Sequence, residues 1–384
     1  MRNPGQSRSR FDICDYAYAC LAVRIESISI QDFRSIDFTK ISFDSDITII
    51  CGENNAGKTT LLEALYLTSN LKSFKGVPNA ELIRATSNQF KISLNFCNKS
   101  SKYNIYVEKS LKSSKILYNN EKVTKNDISM AFPCYSLVFG FNNILLNDSS
   151  YRRDFIDTGM FHVEPGSRKS LNVFEKALKQ RNFLLKTKKY ESIGLWERQL
   201  IDANNELSGY RENYFNSLSG HFTSIVDRIK DKIPEIYNDI SSLKLKYING
   251  WGGDNYESVF NQNQSKDRSV GYTSSGTHRS DFIVTSLGKP VRESGSMSTL
   301  VLACLIINLA KINVFHVKHG FKPVLLIDDL FFGIDNKNLG TVVKLLVLSK
   351  GNIVLTAPNI YKNILEKICE DNQELKLIGV GENG

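Results

Sequence analysis

The sequence predicts an α/β fold in which the strands and helices of one lobe are divided in the chain by a mainly helical second lobe. Three observations lead to this prediction. A β-rich segment runs into a glycine loop and then a helix over residues 47–67. Apolar residues with helical spacing follow from Leu171 to Leu185. The alternation of helices and strands then returns from Ser296 onwards.

The individual elements follow in chain order. Short β-branched runs predict strands at 25–30, 41–43, 47–50, 90–96, 103–107 and 115–118, the last joined to Val123 by a turn at Asn119-Asn120. Helices are predicted at 58–67, 171–185 and 195–229, and the polar stretch 249–277 is predicted to be a long loop. A helix at 296–314, strands at 323–327 and 352–356, and a helix after each strand complete the series.

These elements divide the chain into four segments. We predict a tail at 1–22, the N-terminal part of the α/β lobe at 23–134, a helical lobe at 135–275 and the C-terminal part of the α/β lobe at 276–384. The tail has arginines but no continuous apolar stretch, which disfavours a secretory signal. It is either frayed or an extension upstream of a start near Val23.

The composition is that of an ordinary globular protein of 384 residues, long enough for two or three domains. The seven cysteines are scattered without a CxxC pair, which predicts a reducing cytoplasm and no zinc site. The longest apolar run, 300–307, is shorter than the ~20 residues that span a bilayer, so no membrane span is predicted. The net charge of +9 favours polyanionic partners, although a solubility surplus also explains it.

The string "GENNAGKT" fits the phosphate-loop pattern GxxxxGKS/T and stands between a predicted strand and a predicted helix. We therefore predict that ATP and Mg²⁺ bind here. Lys58 would reach the β and γ oxygens, and Thr59 would bind Mg²⁺ through its hydroxyl. The predicted nucleotide-binding residues are Gly52, Glu53, Asn54, Asn55, Ala56, Gly57, Lys58, Thr59 and Thr60.

A second motif, "VLLIDDLFFGID", is a buried strand that ends in two carboxylates. Asp328 would hold Mg²⁺ directly or through water. Asp329 would face the γ-phosphate and orient the attacking water, or would cap the strand end or the next turn. Asp335 would reach across a dimer interface or form a helix N-cap.

The two motifs are far apart, because Thr59 and Asp328 are separated by 269 positions. A simple P-loop kinase or GTPase places them closer, so a folded insert must lie between them. This insert has no sustained heptads, and the chain is too short for the coiled coil of an SMC-type head.

Several strings resemble the RecF family. They are the segment from "IQDFRS" through the phosphate loop to "LKSFKG", then "YRRDFIDTGMFHVEP", "FEKALKQRNFLL", "GTHRSD" and the Asp328-Asp329 strand, in order from about Val23 to Thr356. The resemblance implies an ABC-type ATPase head with a helical second lobe and no long coiled coil. It also implies an ATP-dependent homodimer in DNA repair, recombination, replication and the SOS response. Such dimers bind single-strand/double-strand junctions or gaps in DNA and recruit RecO and RecR.

The sequence departs from the family pattern at three places. The SxGQ-like signature corresponds to Gly295–Thr299, where Ser296 keeps the hydroxyl that would contact the partner's ATP, but Ser298 and Thr299 replace glycine and glutamine. A plain helix N-cap is the alternative for this segment. Asn142 stands where an acidic residue is expected, and Thr356 where many ABC ATPases have a histidine. We therefore expect nucleotide binding with slow turnover, and a divergent paralogue in a mobile-element or defence setting.

Basic residues supply the candidate DNA contacts, which would grip phosphates without reading sequence. The first candidates are Lys72, Lys75, Arg84, Arg152 and Arg153, and further ones are Arg168, Lys169, Lys179, Arg181, Lys186, Lys188 and Lys189. For all of them except Arg152 and Arg153, the alternative is an ordinary charged side chain exposed to solvent. For Arg152 and Arg153 the alternative is a salt bridge inside the lobe.

The sequence is consistent with three functional hypotheses. The first is an ATP-switched DNA-binding protein of recombinational repair with weak, dimer-dependent ATPase activity. The second is a nucleotide-stabilised scaffold that binds DNA or a partner and scarcely hydrolyses ATP, which the residues at 298, 299 and 142 favour. The third is a small-molecule P-loop kinase, for which a helical insert of this size has no role.

Overall fold

The computed structural model describes residues 23–98, 101–139, 144–331, 334 and 336–380. Its strands are β1 Arg24–Phe33, β2 Ile36–Ser42, β3 Ile47–Gly52, β4 Gln89–Asn98, β5 Ser101–Ser110, β6 Ser114–Tyr118, β7 Glu121–Lys122, β8 Cys134–Val138, β9 Leu243–Ile248, β10 Asp281–Ser286, β11 Lys289–Pro290, β12 Val324–Asp328, β13 Ile353–Pro358 and β14 Leu375–Gly379. Its helices are α1 Lys58–Asn70, α2 Lys125–Ala131, α3 Ser149–Val163, α4 Gly166–Thr187, α5 Ile193–Lys232, α6 Pro234–Ile240, α7 Tyr256–Val270, α8 Val291–Ser294, α9 Met297–His319, α10 Asn336–Leu348 and α11 Lys362–Glu370.

A five-stranded parallel sheet forms the centre of the ATPase lobe, in the order β14-β3-β13-β12-β8. The register pairs Ile50 with Thr356 across β3 and β13, and Ile327 with Leu355 across β12 and β13. Because all the strands run the same way, their carboxyl ends meet at one edge. The phosphate loop after β3 and the carboxylates at the end of β12 therefore lie at the same edge, with β13 between them.

The parallel sheet is buried on both faces because successive side chains of a strand point to opposite sides. On β12, Leu325 and Ile327 pack into the core shared with the helical lobe. Val324 and Leu326 pack into a second core with α1 and the six-stranded antiparallel sheet, whose order is β2-β1-β4-β5-β6-β7. This arrangement explains why the strand reads as a continuous apolar run.

The helical lobe is built on α5, a helix of 40 residues that packs against α3, α4 and α9. A small sheet, ordered β11-β10-β9, completes this lobe. Helix α9 is long and apolar enough to cross a membrane, but 83% of its most apolar window is buried inside the fold. It is a core helix that joins the two lobes.

The predicted fold class is confirmed: a P-loop ATPase lobe with parallel and antiparallel sheets, and a mainly helical second lobe. The predicted strands and the three long helices are present, most of them one to several residues longer than predicted. The turn at Asn119-Asn120 is also present, with φ angles of 49° and 68°.

The predicted loop over 249–277 is wrong, because it contains helix α7. The Asn255 side chain caps this helix by accepting a hydrogen bond from the Ser258 amide at 2.9 Å, and Gly271 ends it with φ 79°. The helix buries Tyr256 and Phe260 and is otherwise mostly polar, which made its composition look like that of a loop.

The structure also moves two of the predicted segment boundaries. Strand β8 pairs with β12, so residues 135–138 belong to the ATPase sheet and not to the helical lobe. Strand β10 pairs with β9 over Asp281–Ser286, so the boundary at 275/276 separates two strands of one sheet. The predicted tail at 1–22 lies outside the described residues.

Candidate nucleotide site

The phosphate loop bends sharply between β3 and α1. A side chain at Gly52 could not fit, because a Cβ there would lie 2.5 Å from the Val380 carbonyl oxygen. Gly57 caps α1 with φ 87°, a left-handed conformation that glycine adopts without strain. Asn55 is also left-handed, with φ 68°. The loop therefore needs glycines at its two fixed positions, as the phosphate-loop pattern predicts.

Lys58 is the first residue of α1, and its ammonium turns back over the loop. Its Nζ donates hydrogen bonds to the carbonyl oxygens of Gly52, at 2.8 Å, and Glu53, at 2.7 Å. Only 8% of this residue is exposed. A triphosphate in the loop would replace these two carbonyls with phosphate oxygens as acceptors.

Asp328 joins three elements at the edge of the sheet. Its Oδ1 accepts a hydrogen bond from the Thr59 hydroxyl at 3.1 Å and another from the Thr356 hydroxyl at 2.8 Å. Burial raises the pKa of Asp328 above its ordinary value, and the charge of Asp329 adds to the rise, while the two threonine hydroxyls oppose it. The two hydroxyls therefore hold the Asp328 carboxylate in a fixed position, where it has little contact with water.

The Thr59 hydroxyl and the Asp328 carboxylate fit a magnesium ion. Two oxygens at neighbouring octahedral positions, each about 2.1 Å from Mg²⁺, lie about 3 Å apart. The measured 3.1 Å between these two atoms matches that spacing. Among the residues described, no group of three His, Cys, Asp or Glu could hold a metal. Phosphate and water would therefore supply the remaining ligands.

Asp329 follows Asp328 with φ 54°, in the left-handed region that residues other than glycine seldom adopt. Its amide donates to the Thr356 hydroxyl at 2.9 Å, which holds the backbone in this conformation. The residue is exposed, unlike Asp328. Strained backbone of this kind is typical of functional sites. Asp335 and Asn142 lie outside the described residues.

Ser296 is the N-cap of α9 and is exposed. Its Oγ accepts a hydrogen bond from the Thr299 amide at 3.1 Å, so the helix-cap interpretation is confirmed. The cap does not exclude a signature role, because the exposed hydroxyl is accessible to a second molecule. Gly295 cannot carry a side chain, since a Cβ would lie 2.7 Å from the Val291 carbonyl oxygen.

Two buried ion pairs join the strings "YRRDFIDTG" and "GTHRSD". Arg152 binds Asp281 through Nε at 2.6 Å and Nη2 at 2.9 Å. Arg211 of α5 binds Asp157 through Nε at 2.8 Å and also donates to the Thr277 carbonyl. Arg152 is only 5% exposed, so the expectation that it contacts DNA is corrected: its guanidinium holds the lobe together.

The other DNA candidates differ in accessibility. Lys72 and Lys75 are exposed on the loop after α1. Arg84 is half-buried and paired with Asp37 at 2.6 Å. Arg153, also half-buried, donates to the Ser280 carbonyl at 2.8 Å. Of these four residues, the two lysines are therefore the ones available to a phosphate backbone.

Sequence reasoning missed Glu63 and understated Thr356. Glu63 is fully buried in α1, where it binds Arg34 of the β1–β2 turn and the Ser73 hydroxyl. A lone carboxylate on the apolar face of α1 was the signal that could have found it. The sequence indicates only that Thr356 stands where a histidine is common. In the structure its hydroxyl links Asp328 to the Asp329 amide.

Comparison with known proteins places this site in a family. The AAA ATPase domain family matches residues 24–317. The chain belongs to this family. Among curated relatives, the DNA replication and repair protein RecF of Mannheimia succiniciproducens is 26% identical over 338 residues, covering 87% of this chain and 92% of the relative. The RecF of Escherichia coli O6:K15:H31 is 26% identical over 85% of this chain and 91% of its own.

Solved structures agree on the fold. A recombination mediator protein RecF-ATPrS of the RecFOR pathway aligns with a TM-score of 0.74 at 21% identity, over 94% of this chain and 97% of that one. An Smc head domain derived from Pyrococcus furiosus aligns with a TM-score of 0.56 at 17% identity, over 93% of each chain. The protein is therefore a divergent RecF-like, ATP-binding member of the AAA ATPase domain family.

Proposed function

We propose that this RecF-like chain is an ATP-switched DNA-binding protein of recombinational repair. In this proposal ATP and Mg²⁺ drive homodimerisation, and the dimer binds DNA gaps or junctions and recruits RecO- and RecR-like mediators in the cytoplasm. The observation that carries the proposal is the Thr59–Asp328 hydrogen bond of 3.1 Å beside Lys58. It joins a complete triphosphate cradle to the strand whose carboxylates can hold the metal.

The chemistry at this site rests on three side chains. Lys58 exchanges its two loop carbonyls for phosphate oxygens when the nucleotide binds. The Thr59 hydroxyl and the Asp328 carboxylate would hold Mg²⁺, which would neutralise phosphate charge. The exposed Asp329 carboxylate orients the attacking water, a role that its strained backbone supports.

The exposed position of Ser296 supports the proposed dimerisation. ATP favours a dimer only if it binds the dimer better than the monomer. The exposed hydroxyl at the start of α9 supplies that difference by donating to the γ-phosphate held on the partner subunit. The Asn359 side chain donates a hydrogen bond to the carboxylate of Glu53 in the phosphate loop at 2.8 Å. This bond holds the loop in place for the contact with the partner subunit.

We propose that the DNA surface lies where the loop after α1 meets α2 and α4. The pKa of Lys125 is lowered, mainly by burial and further by the charges of Lys72 and Arg168, so these cations lie near one another. All three residues are exposed at the surface, so the Lys125 ammonium is only partly buried by its neighbours, and Arg168 also donates to Asn126 at 2.7 Å. Such a cluster supports backbone binding without sequence specificity.

Fluorescence anisotropy with a labelled gapped duplex tests this function. We expect binding to tighten at least tenfold with ATP and Mg²⁺, and Lys72→Glu with Lys125→Glu to abolish most of it. Lys112→Glu, at the exposed β5–β6 turn, is the matched control. If the affinity for the gapped duplex is the same with and without ATP, or is unchanged in the double variant, the DNA-switch proposal is refuted.

The hydrolysis-poor scaffold is the second candidate, and Thr356 favours it. A threonine hydroxyl bonded to Asp328 cannot take up a proton as a histidine can. Ser298 and Thr299 are in place of the glycine and glutamine of the signature. Measuring ATP turnover with and without gapped DNA separates the candidates, because the scaffold has no DNA-stimulated turnover.

A further inference from the structure

An open apolar pocket lies at the amino-terminal edge of the parallel sheet, at the far end of the strands from the phosphate loop. It is bounded by α5, α9, the end of α10, and the first residues of β12 and β13. Leu325 lines it and precedes Asp328 by three positions, about 10 Å along a strand. The pocket is therefore separate from the nucleotide site.

The size of this pocket restricts what it can hold. Its volume is about 50 Å³, and its walls include Ile225, Ile229, Ile312, Leu345 and Leu348. An apolar cavity of about 150 Å³ binds benzene. A pocket one third as large takes the end of one aliphatic or aromatic side chain, not a drug-sized ligand. Such pockets hold the anchor residues of protein interfaces.

The rim of the pocket is cationic. Arg228 of α5 lies on it, is exposed, and forms no ion pair or hydrogen bond with any residue in the described part of the chain. Lys322 also lines the pocket and donates to the Ser349 carbonyl, and the exposed Lys350 follows Ser349. Asp227, the neighbour of Arg228, does not line the pocket. The unpaired guanidinium is well suited to bind a carboxylate in bidentate fashion.

We propose that this Arg228 pocket is a docking site for an acidic segment of a partner protein. One leucine or phenylalanine of that segment inserts between Ile229, Ile312 and Leu348, and a neighbouring aspartate or glutamate binds Arg228. The apolar walls supply the affinity, and the Arg228 guanidinium sets the orientation and the preference for acidic partners. The proposal does not depend on ATP, dimerisation or DNA.

A synthetic probe tests the proposal on the full chain. The probe is a fluorescein-labelled 14-residue peptide with a central Leu-Phe pair between Asp-Glu pairs, and its binding is followed by anisotropy. We expect Arg228→Glu and the pocket-filling Leu348→Trp each to weaken binding at least tenfold. Arg198→Glu, the same charge change at an exposed position of α5, should change affinity less than twofold. A control peptide with Ala-Ala at the centre should not bind.

Isoleucine-methyl NMR locates the contact. The peptide should shift the methyl signals of Ile225, Ile229, Ile312 and Ile353, which line the pocket, and leave that of Ile50, in the other core, unchanged. Shifts elsewhere, no binding, or full affinity in Arg228→Glu would overturn the proposal. Deleting residues 1–22 provides a further check. If that deletion alone shifts the four pocket methyls, this chain covers its own pocket and the partner proposal is wrong.

Discussion

The Thr59 hydroxyl donates a hydrogen bond to the Asp328 carboxylate at 3.1 Å, although 269 positions separate the two residues. The fold makes this contact by setting β3 and β12 on either side of β13. A third residue, Thr356 on the middle strand, binds the same carboxylate oxygen. The two halves of the ATPase lobe are therefore linked at one atom, the Asp328 Oδ1.

Lys58→Ala should weaken ATP binding about 100-fold or more, because it removes the cation that faces the β and γ oxygens. Titration of a fluorescent ATP analogue measures this loss. Lys112→Ala is the control, since that lysine is exposed on a distant hairpin turn. Unchanged affinity in Lys58→Ala would show that the triphosphate does not occupy this loop.

Asp328→Asn should stabilise the ligand-free protein at neutral pH while weakening magnesium-dependent nucleotide binding. The folded-state pKa of Asp328 is raised, so the group's contribution to stability is present below its unfolded pKa and is lost as pH rises through the folded pKa. The asparagine amide does not titrate and avoids that loss. We therefore expect the variant's free energy of unfolding to exceed that of the native chain by about 1 kcal/mol, or roughly 2–4 °C in Tm.

Thermal unfolding at pH 7.5, without nucleotide or Mg²⁺, measures this gain, and the advantage should vanish in acid. As the pH is lowered, the magnesium affinity of the native chain should begin to fall at a higher pH than it would with an ordinary aspartate. The reason is that protonation of Asp328 removes the metal ligand. Asp202→Asn is the control, since that residue is exposed on α5. A less stable Asp328→Asn at neutral pH would contradict the assigned cause.

Arg152→Ala should destabilise the fold by about 3–5 kcal/mol, because it leaves Asp281 partly buried without its partner. Chemical denaturation measures the free energy of unfolding. Lys344→Ala breaks an exposed pair with Glu235 at 3.7 Å and should cost less than about 1 kcal/mol. Equal effects in the two variants would mean that Arg152 is not a structural residue.

Restoring the signature with Ser298→Gly and Thr299→Gln should raise ATP turnover about tenfold, equivalent to about 1.4 kcal/mol of barrier. Glycine lets the helix backbone approach the nucleotide, and it should also lower stability by about 1 kcal/mol. Steady-state phosphate release measures turnover, and Ser298→Ala with Thr299→Gln is the control. If turnover stays flat, the signature residues are not what limits hydrolysis.

The sequence was most informative where local physics decides the structure. The phosphate loop needs glycine at 52 and 57 for steric and backbone reasons, and the apolar run before Asp328 forms the predicted strand buried on both faces. Helix α7 was missed because it buries Tyr256 and Phe260 in a mostly polar helix whose partners are distant in sequence. Arg152 was ambiguous for the same reason, since its partner Asp281 lies 129 positions away.

The oligomeric state of the Asp329→Asn variant, with and without ATP and Mg²⁺, tests the central claim most directly. Light scattering should give the monomer mass of 43.4 kDa without nucleotide and twice that mass with it. Ser296→Asp keeps a helix cap but sets a negative charge against the partner's γ-phosphate, and it should remain monomeric with ATP. A chain that stays monomeric throughout, or that dimerises regardless of ATP and of Ser296, would contradict the account.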